Sequence, residues 1–124
     1  MKKMGLVGIF AVTSLAGCSD PIVPSAELDK LTLAFLNAKI YASGAVSCDP
    51  KQVKERAYVG CHNKSLEGNS QVSLWLYEGG EFKAVNGTAR TFVEGPFAGE
   101  SGISSMPLPL PNDINVGEVL ESFK

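Results

Sequence analysis

The amino terminus decides how much of this chain is left to fold. Lys2 and Lys3 precede a mostly apolar run, Met4 to Leu15, and the small residues Ala16 and Gly17 lead from it to Cys18. A helix needs roughly 20 apolar residues to cross a bilayer core, so this run is too short to span one. A basic start, a short apolar stretch and small residues, in that order, make the pattern of a cleaved export signal. Losing residues 1–17 from the 124 leaves 107, enough for one domain. A domain of that size buries its core with a thin margin, so a covalent staple matters.

Leu15-Ala16-Gly17-Cys18 resembles the lipobox of bacterial lipoproteins at every position. The resemblance implies that diacylglycerol is attached to the sulfur of Cys18 and that a signal peptidase cuts before this residue. It also implies further acylation of the new amine, so palmitate or a similar chain is the expected modification. Small residues let an extended backbone enter a protease cleft, and cysteine supplies the thiolate for a thioether. Ser19 follows Cys18, with the acidic residue one place later at Asp20. By the same resemblance this favours the outer membrane, facing the periplasm. A Gram-positive outer leaflet fits the motif as well. Several acyl chains, each buried methylene contributing about 0.8 kcal/mol, would hold the protein on its membrane.

Cysteine parity agrees with this reading. The chain has three cysteines, and lipid on Cys18 leaves Cys48 and Cys61, thirteen positions apart. Export places them in an oxidising compartment, where such a pair forms a structural disulfide. A redox role would call for C-x-x-C spacing, which they lack. Beyond Cys18 there are nine basic and thirteen acidic residues, a balance of −4. Nucleic acid and an anionic bilayer surface both demand a basic face, so neither is expected as the main partner.

The mature chain divides into a lipidated cysteine and tether (18–24) and one globular domain (25–124). Pro21 and Pro24 keep the tether extended. Ser25 is placed to cap a helix over 26–42, with Leu28, Leu31, Phe35, Ala38 and Ala42 as its apolar stripe, Leu36 and Ile40 widening it, and Gly44 as its stop. Asp49-Pro50 reads as a helix cap before a short turn to Arg56. Ala57 to Cys61 reads as a strand and His62 to Ser70 as a loop. Gln71 to Tyr77 is the clearest strand. Val72, Leu74 and Leu76 face one way, Trp75 and Tyr77 the other, as in a central strand covered on both sides. Gly79-Gly80 and Asn86-Gly87 are turn signals flanking a strand over 81–85, with a further strand over 88–93. The glycine-rich 94–105 reads as a loop and Met106 to Pro111 as extended. Val116, Val119, Leu120 and Phe123 form a helical stripe capped by Asn112 or Asp113. The expected fold is α+β. A small antiparallel β-meander of three to four strands packs with an N-terminal helix and a short C-terminal helix, and one disulfide staples it.

Motifs that carry chemistry are scarce. His62 is the only histidine, the cysteine spacing does not suit haem attachment, and a zinc site would need both thiols reduced. No serine elbow, phosphate loop or dinucleotide fingerprint occurs, so no catalytic residue, metal or cofactor is expected. Trp75 and Tyr77 are candidate partner contacts if one sheet face is open, and Phe97 is a candidate within the 94–105 loop. The expected function is that of a non-enzymatic, lipid-anchored accessory or interaction protein of the cell envelope. Its partners would be the membrane, through the lipid of Cys18, and an envelope protein. The rival reading is an inhibitor or immunity lipoprotein directed at a cell-wall hydrolase or a delivered toxin. The acidic balance would suit a basic hydrolase.

Overall fold

The structure, a computed structural model, describes residues 22–124. The expected signal peptide, the lipobox-like motif and Cys18 therefore lie outside the described residues. Among the described residues, three helices and a six-stranded sheet make an α+β domain.

Helix α1 spans Ser25–Ala38. Ser25 does not cap it. Instead the Pro24 carbonyl accepts from the N–H groups of Glu27 and Leu28 at 2.9 and 3.1 Å. The helix stops short of the expected 42, at Lys39, which turns left-handed with φ 53° and donates its N–H to the Leu36 carbonyl. Ile40 and Tyr41 then pack against the core beyond the helix end.

Strand β1 (Ala45–Val53) pairs antiparallel with β2 (Arg56–Ser65) through a two-residue turn at Lys54-Glu55. Asp49-Pro50 thus lies in a strand, not at a helix start. β1 is an edge strand, and a proline, which has no N–H to donate, is tolerated where that position faces away from the ladder. The expected loop at 62–70 is also largely paired, because β2 runs to Ser65 and meets the two-residue β3 (Gly68–Asn69).

β4 (Ser73–Glu78) continues along the same side of β2, with its register shifted by one residue relative to β3. At the break, the Ser70 hydroxyl accepts the Asn63 N–H at 2.8 Å, while the Asn63 carbonyl accepts the Ser70 N–H at 2.9 Å. β5 (Glu81–Ala84) returns from β4 across Gly79-Gly80, whose φ values of 63° and 79° suit the tight hairpin turn that favours glycine.

The segment expected to be a third meander strand is a helix, α2 (Gly87–Glu94). Asn86 is its N-cap rather than the first residue of a hairpin turn. Its Oδ1 accepts from Ala89 N and Leu74 N, both at 3.0 Å, and its Nδ2 donates to the Val72 carbonyl at 2.9 Å. One side chain therefore caps the helix and satisfies two backbone groups beside β4. Within the expected 94–105 loop lies β6 (Ile103–Ser105), parallel to β5. The sheet is therefore mixed rather than purely antiparallel, in the order β1-β2-β4-β5-β6. The last helix, α3 (Val116–Glu121), is capped by Asn115, whose side chain accepts from Glu118 N at 3.0 Å. Asp113, an expected cap, is instead held by Arg56 at 2.6 and 3.1 Å.

Strand alternation divides the core between two sheet faces, as expected for β4. Val59, Cys61, Trp75 and Phe82 meet Leu31 and Phe35 of α1 and Ala89 of α2 on one face. Tyr58, Leu74 and Leu76 meet Val85, Met106, Ile114 and Val119 on the other. The second face is closed by the C-terminal segment, where the Phe123 ring lies directly over Gly60. Cys48 and Cys61 face each other across β1 and β2 and form a disulfide, which ties the edge strand to the buried strand beside it.

Candidate functional site

Burial reassigns two of the aromatic candidates. Trp75 is 0% exposed and Phe97 is 1% exposed, so neither offers a surface to a partner. Phe35 is the hub that holds them. Its ring meets Phe97 edge-on at 5.0 Å, Phe92 at 5.7 Å and Trp75 at 6.3 Å. The Trp75 indole N–H donates to the Ser73 hydroxyl at 2.9 Å, which completes its burial without leaving a polar atom alone. Tyr77 is half-buried and lies 5.1 Å from Phe82, at the margin of the same core.

The segment around Phe97 nevertheless contributes to a surface feature. Phe97 plugs into the core, while Glu100 to Ile103 emerge beside α1. Together with Leu33, Ala34 and Asn37 of α1, and with Gly80 and Phe82 at the start of β5, they line a groove of about 470 Å³. Its walls mix apolar side chains with Glu27, Lys30 and Glu100, and Lys30 pairs with Glu27 at 3.1 Å. These groups suit binding, through apolar contact bordered by charge.

Of the residues expected to face the core from α1, Leu36 does not, and Leu33 beside it is exposed as well. Leu31 and Phe35 are buried, whereas Leu33 and Leu36 are exposed on the outward side of α1. Leu36 was expected to widen the core-facing stripe but does not join it. Leu33 carried a signal in the sequence, since it lies off the Leu28, Leu31, Phe35 spacing that fixes the buried face.

A charged network on the other face serves the fold. The Arg56 guanidinium grips Asp113 and reaches Glu78 at 3.4 Å, and Lys83 reaches the same Glu78 at 3.4 Å. Hydrogen bonding to Arg56 holds the Asp113 carboxyl below the usual carboxylate range, and the same bond raises Arg56. Burial pushes the Tyr58 hydroxyl up. These residues link the C-terminal segment to the turn ends of β2, β4 and β5.

His62 sits on β2 opposite Ser47 and is partly buried. Among the described residues, no group of three or more histidine, cysteine or acidic side chains is placed to hold a metal ion. No described helix is long and apolar enough to cross a membrane. No protein-family model, curated protein or solved structure matches this chain.

Proposed function

We propose that this chain is a lipid-anchored accessory protein of the bacterial cell envelope, acting by binding a protein partner rather than by catalysis. The observation that carries the reading is the lipobox-like Leu15-Ala16-Gly17-Cys18 behind a short apolar run. The Cys48–Cys61 disulfide supports it, because pairing these two leaves Cys18 as the single cysteine available for lipid. Disulfides persist in exported proteins and are rare in the reducing cytosol. Ser19 after the cysteine favours the outer membrane, with the domain in the periplasm.

The groove between α1 and residues 100–103 is the binding surface assigned to this role. Crosslinking in intact cells, followed by purification through the C-terminus, should enrich one defined envelope protein. Ile103→Asp, on the groove wall away from α1, should reduce that capture while leaving the anchor intact. Recovery of no enriched protein, with free diffusion of the anchored domain, would refute the accessory role. The acidic balance of −4 beyond Cys18 favours a second reading, inhibition of a basic wall hydrolase or toxin. Protection of deletion and complemented strains against a panel of such hydrolases separates the two, since an accessory role predicts no difference.

A further inference from the structure

Five large apolar side chains are exposed among the described residues, and their distribution is uneven. Leu66 and Leu108 stand alone, one at the β2–β3 turn and one in the proline-rich segment. The other three, Ile22 at 37%, Leu33 at 53% and Leu36 at 52%, all fall within the segment that enters and forms α1. This is the part of the domain next in sequence to Cys18. We propose that the outward side of α1 lies on the bilayer that holds the Cys18 lipid, with Leu33 and Leu36 seated in the headgroup and upper acyl region. The inference rests on the lipoprotein reading and adds an orientation to it.

The length of the tether is the first argument. Val23 is buried in the core and is the first described residue fixed there. Only Ser19 to Ile22 separate it from Cys18. Five residue steps span at most about 17 Å when fully extended. A compact domain of about 100 residues has a radius of gyration near 13 Å, so the tether cannot turn the Val23 end away from the membrane. Leu33 lies eight residues beyond Ser25, the first residue of α1, about 12 Å at helical rise, which keeps it within the zone the tether holds down.

Charge is the second argument. Glu27 and Lys30 neutralise each other as an ion pair at 3.1 Å, and the exposed Asp29 and the exposed C-cap Lys39 carry one charge of each sign, so the helix and its cap have no net charge. Such a face has no electrostatic drive toward anionic lipid, and it suits a zwitterionic surface met through apolar contact. In this arrangement the acyl chains supply the affinity and Leu33 and Leu36 set the orientation. The groove, which Leu33 rims, then opens at the level of the headgroups.

The test uses the wild-type mature protein, isolated from membranes and reconstituted in phosphatidylcholine vesicles doped with a phospholipid bearing a diazirine on its acyl chain. Intact mass first establishes lipid on Cys18. Photolysis and peptide mass spectrometry then locate the label. Leu33 and Leu36 should be labelled several-fold above Leu66 and Leu108. Lipid on Cys18 with no excess label on Leu33 and Leu36 overturns the orientation alone. An unmodified Cys18 overturns the lipoprotein reading, and the orientation falls with it.

Discussion

Gly60 offers the sharpest test of how the C-terminal segment closes the second sheet face. A methyl group added at Gly60 would lie 2.9 Å from Cδ1, 3.0 Å from Cε1 and 3.1 Å from Cγ of Phe123. The Gly60 backbone does not occupy the left-handed region, so alanine meets no conformational barrier there. The cost of Gly60→Ala therefore comes from the ring, which must shift or swing into solvent. Overpacking of this kind costs about 1–3 kcal/mol. Relief of the glycine penalty in a strand offsets roughly 0.5–1 kcal/mol of it. The net expectation is a loss of up to about 1.5 kcal/mol by urea unfolding, taking the lower overpacking range because Phe123 is only partly buried. In a Phe123→Ala background the clash is gone, and Gly60→Ala should become neutral or stabilise by up to about 1 kcal/mol. The double-mutant cycle should therefore show strong coupling. Additive effects would refute the placement of Phe123 over β2, and with it the closure of this face by the C-terminal segment.

Three further outcomes test other joints of the structure. Cys48→Ala with Cys61→Ala opens a loop of thirteen residue steps and should cost about 3 kcal/mol, read as a fall in urea midpoint with a slope equal to or steeper than that of the wild type. Asn86→Ala removes the α2 cap and strands Leu74 N and the Val72 carbonyl, so it should cost about 2 kcal/mol or more, whereas Asn115→Ala, which removes one cap bond, should cost about 1 kcal/mol. Asp113 is held below the usual carboxylate range in the folded state, so its contribution to stability is present above its unfolded pKa and is lost as pH falls through the folded one. Thermal unfolding from pH 6 downward should show a shallower acid decline for Asp113→Asn than for the wild type.

The central strand was the most legible part of the fold. Both faces of 71–77 carry apolar residues, and the two halves of the core divide along that alternation. Sequence and structure part where one local signal serves two structures. Asn86-Gly87 favours a hairpin turn, but asparagine is equally a helix cap, and the β-branched Thr88, Thr91 and Val93 suggested a strand. Tertiary context decided, through the Asn86 bonds to the backbone flanking β4 and the burial of Ala89. Asp49-Pro50 is likewise both a helix start and an edge-strand pair, and only the pairing of β1 with β2 distinguishes them. β6 has three residues, too few for alternation to register, and its parallel partner lies across α2 in sequence. For the candidate surface, glycine content located the segment but not its side chains: Phe97 turns inward, and Glu100 to Ile103 form the groove wall.

On the proposed function, Cys18 carries lipid and begins the mature chain. The direct measurement is the intact and amino-terminal peptide mass of the protein recovered from membranes of the bacterium that makes it. The expected product is a chain that starts at Cys18, heavier than the 107-residue polypeptide by a diacylglyceryl group and any amide-linked acyl chain, with the increment on the Cys18 peptide. Cys18→Ser should then accumulate as uncut, unmodified precursor. A mature chain that begins at any other residue, or one that starts at Cys18 with a free thiol, would contradict it.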